Sequence, residues 1–407
     1  MEDISAAVKQ LYDTYPFPPD PLSNEPPPGY NWRWCWPTAY SFCTGQAPQD
    51  YQIRILDAGC GTGSSTEYLI KLNSRAAVLG IDLSDGAIKM ARERCSQSGI
   101  CSAGTPEPEF QRLSLYDVTQ LAGQFDLINC VGVLHHLPDP IRGLRNLAVK
   151  LAPGGLMHIF VYAELGRREI RLMQEAIALL QGNRRGNYQD GVKTGRQMFA
   201  ALPPENPLAK YESSRWAMEN QRDECFADMY VHPQEIDYNI QTLFELIEAS
   251  GLEFIGFSNP NYWQLDRLLG QAPELLERAA ELSDMQRYRL IELLDPQLSH
   301  YEFFLGRPPL PLNHWSEEES LLNAIPQVSP CLNGWPSQTL FDPDYKLITL
   351  SDDEFQFMQA CEVNLLPGEE RSPDLAKTVR DILVQAPLDL ETVRSLQTRQ
   401  LILLTPE

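Results

Sequence analysis

The chain has 407 residues, 43% of them hydrophobic, which is long enough for two domains and ample for a sizeable core. A formal net charge of -22 argues against a nucleic-acid partner, because proteins that meet phosphate backbones usually present a basic face. The N-terminal MEDISAAVKQ lacks the basic-then-apolar order of a signal peptide, and the apolar run Leu156–Ala163 is too short to span a bilayer.

The nine cysteines form no CxxC pair, so neither a zinc site nor a disulfide framework is expected. The simplest expectation is a cytoplasmic protein with reduced thiols, no membrane association and no metal.

Residues 1–50 divide into a short helix, Ile4 to Tyr12, and a proline-laden aromatic arm. YPFPPDPLSNEPPPGYNWRWCWP holds eight prolines and three tryptophans, so its aromatics are expected to pack as a wrapped arm and not as a regular element. That arm is either a strap over a flank of the following domain or a cover reaching over a binding cleft.

From Gln52 the pattern becomes regular. IRILDA, AAVLGID, EFQRLSL and FDLINCV read as strands, with helices over Ser65–Leu72, Gly86–Ser98 and Ile141–Leu151. GGLMHIFVYA reads as a fifth strand, introduced by the helix-stopping Pro153-Gly154-Gly155. Such alternation predicts βαβ units and a parallel sheet covered on both faces. Arg167–Leu180 reads as a helix, followed by about fifty less regular residues, some of them locally basic. The rhythm resumes with a helix Pro233–Ser250, a strand Leu252–Ser258 and a strand Tyr301–Leu305. The stretch from LSDDEFQFMQACEV to the end reads as a small separate unit.

The most informative stretch is Asp57-Ala58-Gly59-Cys60-Gly61-Thr62-Gly63, at the end of the first strand. Alternating glycines make a turn on which a large ligand can lie directly against backbone. The dinucleotide pattern GxGxxG fails because Ser64 stands three positions after Gly61, and no Gly-Lys-Ser/Thr of a P-loop is nearby. The acid at Asp57 repels phosphate and suits a ligand carrying an ammonium or a sulfonium.

At this point the sequence resembles the class I methyltransferases that use S-adenosylmethionine. The acid and GxGxG match their first motif, GIDLS supplies an acid at the end of strand two, and LYD supplies one after strand three. FDLINCVGVLHHLPDP and LAPGG match the approach to strands four and five. The resemblance spans Gln52 to Arg307. It implies a Rossmann-like, seven-stranded α/β sheet with helices on both faces over residues 51–306, carrying an insertion at about 166–230. An N-terminal aromatic arm (1–50) and a small C-terminal α/β or winged-helix-like unit (307–407) would flank it.

The resemblance also implies the cofactor, S-adenosylmethionine, and the product, S-adenosylhomocysteine. The methionine end is expected over Asp57, Ala58, Gly59, Cys60, Gly61 and Gly63, the ribose at Asp82 beside Leu83, the adenine amino group near Asp117, and Asn129 against the methionine portion. If the acceptor must lose a proton, His135, His136, Tyr162 and Glu164 are the candidates; the paired histidines also suit a structural turn. Tyr12 and Tyr15 would close over the cofactor if the arm folds back.

YDTYPFPPDPL, LGRREIRLMQEAIALL and HYEFFLGRPP further look like a cyanobacterial set of larger methyltransferases that includes the phycobiliprotein asparagine methyltransferase. The Asn/Asp-Pro-Pro-Tyr of amide and amino methylation is absent, Asn129-Cys130-Val131-Gly132 standing in its place. That absence counts against carrying over the asparagine chemistry. The aromatic arm, the insertion with Arg184, Arg185, Lys193 and Arg196, and the C-terminal unit nevertheless offer a large docking surface, so the expected acceptor is a protein side chain, an asparagine among the options. A small metabolite under a lid, a non-catalytic module responsive to the cofactor, and RNA remain as alternatives.

Overall fold

The computed structural model describes residues 2–22, 32–100, 105–343, 345–364 and 376–406; the middle of the proline arm, 23–31, lies outside the described residues. The expected alternation is present as β1 (Arg54–Ala58), α3 (Ser64–Leu72), β2 (Ala77–Asp82), α4 (Asp85–Gln97), β3 (Glu109–Arg112), β4 (Phe125–Val131), α5 (Pro140–Lys150) and β5 (Leu151–Tyr162), preceded by α1 (Glu2–Thr14) and α2 (Trp36–Thr44). An insertion holds α6 (Arg168–Gln181), α7 (Tyr188–Ala201), α8 (Pro207–Tyr211) and α9 (Asp223–Tyr230). The core domain then closes with α10 (Ile240–Ser250), β6 (Glu253–Phe257), α11 (Asp266–Leu269), α12 (Pro273–Ala279), α13 (Asp284–Leu294) and β7 (His300–Gly306).

The seven strands run in the order β3-β2-β1-β4-β5-β7-β6. The sheet is mixed and not all-parallel as the βαβ rhythm suggested, because β7 runs antiparallel to both β5 and β6. The order reverses between β1 and β4, so the crevice beyond their carboxyl ends is the place where such sheets take ligands. Strands buried on both faces read as continuous apolar runs. Leu56, Ile81, Ile128 and Phe303 pack under α5 and α10 on one face. Ile55, Val78, Leu127 and Phe304 pack on the other face with Trp32 and Trp36.

That second face corrects the reading of the arm. Beyond the undescribed stretch the chain is regular: Pro37 is tolerated in the first turn of α2, and Gly45 closes the helix in a left-handed conformation with its N–H on Ser41 O. Two other boundaries move. Pro153-Gly154-Gly155 lies within β5, across a register shift at Phe125/Leu127, so the helix stops at Lys150 without it. And α10 starts at Ile240, with Asn239 and Thr242 forming a capping box, whereas Pro233–Tyr238 runs irregularly beside β5, Tyr238 N donating to Tyr162 O.

The fifty residues expected to be irregular are largely helical. With the expected helix α6 they build a separate core from Ile170, Met173, Ile177, Tyr188 and Phe226, which also takes in Leu11 of α1.

The C-terminal residues form α14 (Glu318–Asn323), β8 (Ile325–Val328), β9 (Thr339–Phe341), β10 (Leu347–Thr349), α15 (Asp352–Cys361), α16 (Val379–Leu383), α17 (Leu390–Thr398) and β11 (Ile402–Thr405) around Phe357, Leu396 and Leu404. They dock on the end of α2, where Ala47 N donates to Leu404 O at 2.8 Å. Among the described residues no helix is long and apolar enough to cross a membrane.

Candidate active site

At the end of β1 the backbone turns sharply, and Gly59 N and Cys60 N both donate to Ile81 O, at 2.8 and 2.9 Å. This brings the turn beside Asp82, whose two carboxylate oxygens accept Gly61 N at 3.0 Å and Ser84 N at 2.8 Å. Burial raises the Asp82 pKa, against the hydrogen bonds from backbone that favour its charge. Gly61 has φ +51, and a Cβ there would sit 2.4 Å from Phe17 O. The close approach is the arm itself.

Phe17 O accepts Thr62 N, Pro18 O accepts Thr62 Oγ1 at 2.6 Å, and Asp20 accepts Ser64 Oγ at 2.8 Å. Buried Arg94 fixes the same segment, donating to Asp20 O at 2.8 Å, Pro21 O at 3.0 Å and Thr62 O at 3.1 Å. The arm is thus both of the things proposed for it: residues 17–21 cross the glycine turn, and the stretch from Trp32 covers a face of the sheet.

Gly63 serves packing. At φ +89, its Cβ would lie 2.8 Å from both Cα and Cβ of Ala91 in α4. Gly63→Ala should therefore lower the unfolding free energy by at least about 2 kcal/mol, read from the urea midpoint.

A cavity of about 1110 Å³ opens above the turn. Of the residues singled out from sequence, Gly59, Cys60, Gly61, Asp82, Leu83, His136 and Tyr162 line it; Asp57, Ala58, Gly63, Asp117, Asn129 and His135 do not. Asp117 is exposed on a short turn, and it is Leu113, Ser114 and Leu115 that reach the cavity from that side.

Asp57 and Asn129 are buried in a polar network below the cavity floor. Asp57 accepts Thr66 Oγ1 at 2.6 Å, Ser65 Oγ at 2.7 Å and Asn129 Nδ2 at 2.8 Å. Asn129 Oδ1 receives Trp34 Nε1 at 2.8 Å and faces His158 Nδ1 at 2.9 Å. His158 Nε2 lies 3.1 Å from Glu302, which also pairs with Arg33 at 2.7 Å. Burial works against the charge on Glu302, yet the His158 hydrogen bond and Arg33 hold its carboxyl at about 2. The Asn129 amide is consumed by this network and is not free for a ligand.

On the opposite wall, Tyr162 is sandwiched. Arg167 lies 3.4 Å over its ring, and His135 stacks on it at 3.8 Å. Arg167 is buried in a two-bonded pair with Glu235, both bonds 2.9 Å. His135 is fully buried with both ring nitrogens unpartnered, and burial depresses its pKa, so it packs as a neutral ring.

His136 stacks on His232 at 3.7 Å, and Tyr12 OH donates to Asp228 at 2.9 Å. Ring nitrogens of His136 and His232 and a carboxylate oxygen of Asp228 lie within 4.8 Å of one another. Those three residue types could group around a cation, but hydrogen bonding disfavours it. His232 Nδ1 accepts Gln234 N–H at 3.1 Å, so its Nε2 carries the proton and offers no lone pair.

Tyr12 lines the cavity as the folded-back arm would require, whereas Tyr15 packs with the insertion core. Asp228 and His232 were not apparent from sequence. They belong to the end of the insertion, and nothing local marks them as neighbours of His136.

The sequence matches a family model described as a methyltransferase domain over residues 56–157. An uncharacterized protein of Synechococcus sp. is 58% identical over 405 residues, covering 100% of this chain and 94% of that one. The uncharacterized phycocyanin operon protein W of Pseudanabaena tenuis is 67% identical over 94 residues, 23% of this chain and 89% of its own length. The ubiquinone biosynthesis O-methyltransferase of Bordetella avium is 35% identical over 103 residues, 25% of this chain and only 39% of that one. In three dimensions, PKMT2 from Rickettsia typhi, solved in complex with AdoHcy, superposes with a TM-score of 0.59 at 14% identity, over 94% of this chain and 77% of that one, a likeness of fold.

Proposed function

Because the chain belongs to the S-adenosylmethionine-dependent methyltransferases, we propose that it methylates a protein side chain in the cytoplasm, an asparagine of a phycobiliprotein being the acceptor of choice. The observation that carries the protein acceptor is the mouth of the cavity. Met218, 84% exposed, stands there with Glu219, Gln221 and Arg222 of the insertion, where a folded partner can reach. At about 1110 Å³ the cavity exceeds the ~300–1,000 Å³ usual for one small ligand, leaving room for an inserted side chain beside the cofactor. The relative named for a phycocyanin operon supports the phycobiliprotein.

The residues present fit the cofactor. The turn Gly59–Gly61 lines the cavity where the methionine end would lie, Asp82 offers a carboxylate for the ribose hydroxyls, and Leu113–Leu115 an edge for the adenine. Bound there, S-adenosylmethionine supplies an electrophilic methyl group. The protein's own work is to exclude water with the strap at Phe17–Pro21 and to hold the acceptor in line.

A second reading, a small acceptor under a lid, draws on that same strap and on the aromatic lining of Trp34, Tyr68 and Phe160. Labelled methyl transfer into a lysate lacking the gene separates the two. Label in one protein band supports the protein acceptor; label confined to the small-molecule fraction overturns it.

A further inference from the structure

The two stacked histidines come from separate segments of the chain, joined through one residue, Gln234, which stands 98 residues after His136. Its carbonyl lies 2.8 Å from His136 Nδ1, and a carbonyl can only accept, so that nitrogen carries hydrogen. Its N–H donates at 3.1 Å to His232 Nδ1, so that ring carries its hydrogen on Nε2. One peptide residue thereby sets the two rings in opposite tautomers. His136 is left with a lone pair on Nε2, the ring nitrogen not engaged by Gln234, on a side chain that lines the cavity. His135, sealed and stacked beneath Tyr162, has no such access.

We propose that His136 is the catalytic base of the methyl transfer, its Nε2 receiving the hydrogen of an N–H or O–H acceptor, with Gln234 and Asp228 as positioning residues. The proposal rests on the methyltransferase reading above. The acceptor atom bonds to the methyl carbon as the carbon–sulfur bond breaks, the electron pair staying on sulfur to give neutral S-adenosylhomocysteine, and the acceptor's proton passes to His136 Nε2. The imidazolium then releases that proton to solvent. The acceptor class is a neutral amide or hydroxyl that arrives with a hydrogen to give.

The surroundings suit a base that is neutral at rest and charged in passing. Burial lowers the proton affinity of His136, which keeps the ring unprotonated at neutral pH. Asp228 and Glu235 face it and favour the imidazolium, whereas Arg167 opposes it. His135 packs edge-on at 4.2 Å, Tyr162 lies 5.7 Å away, and His232 forms the stacked face. Tyr12 OH holds Asp228 in place.

His136→Asn keeps an amide donor for Gln234 O but deletes Nε2. It should lower kcat by about 10²- to 10⁴-fold with KM and S-adenosylhomocysteine affinity, read by calorimetry, within about twofold of wild type. Wild-type kcat should fall with acidity along a limb centred below the usual histidine value of ~6.5. That limb should vanish in His136→Asn and move to lower pH in Asp228→Asn, which removes a charge favouring the imidazolium.

Nitrogen NMR of the resting protein checks the state without turnover and should give a neutral His136 protonated at Nδ1. An Nε2-protonated tautomer, an unchanged limb, or His136→Asn within twofold of wild-type kcat would overturn the proposal. If wild type itself transfers no label, the methyltransferase reading fails instead.

Discussion

Asp82→Ala should weaken binding of S-adenosylhomocysteine by between about 10² and 10⁴-fold. A carboxylate that accepts both ribose hydroxyls makes two charge-assisted hydrogen bonds, each worth roughly 1.5–3 kcal/mol. Their loss alone spans that range. Removing the carboxylate also frees Gly61 N and Ser84 N, the contacts that hold the turn in place. Gly61 lines the cavity, where water can replace the lost acceptor, whereas the buried Ser84 N–H is left short of one at about 1–3 kcal/mol, so a drop in melting temperature should accompany the larger loss of affinity. Isothermal titration on the folded variant reads the first quantity and calorimetric melting the second. Affinity within about threefold of wild type would mean that the ligand does not use this carboxylate.

Asn129→Ala should show the opposite pattern. It strips a partner from Asp57 and His158 Nδ1, both closed to solvent, and from Trp34 Nε1 at the cavity's edge. Each buried polar group left unsatisfied costs about 1–3 kcal/mol, so a loss of at least about 3 kcal/mol is expected even if a water enters the space. Against total stabilities of about 5–15 kcal/mol that is a large fraction, visible as a shifted urea midpoint. Ligand affinity of the fraction still folded should change little, because the amide does not line the cavity. A variant of unchanged stability and much reduced affinity would instead put Asn129 against the ligand.

These two residues show where sequence reasoning reaches its limit. The place of Asp82 was legible because it is set locally: it ends β2, and the sheet order carries it beside the glycine turn. Asp57 and Asn129 occupy the expected positions in their strands, but their polar atoms are engaged by Ser65, Thr66, Trp34 and His158. Whether a strand-end side chain meets ligand or protein depends on that distant company, which periodicity does not encode.

The same holds for Asp117, whose place at the cavity is taken by its neighbours Leu113–Leu115. The prolines of the arm were read as breakers throughout, although a proline in the first turn of a helix removes no needed hydrogen bond, as Pro37 in α2 demonstrates. The helical insertion was under-read for another reason. Its apolar positions face a small core shared with α1 and not the main sheet, so its pattern is short and interrupted.

The most direct test of the protein-acceptor account is the intact mass of purified phycocyanin subunits after incubation with this protein and S-adenosylmethionine, with the Asp82→Ala protein as control. The account predicts that one subunit gains the mass of a single methyl group, on a side chain located by digestion, and that the control gives none. Unmodified subunits from a host lacking the gene that remain unmodified, while the same preparation methylates a small molecule, would contradict it.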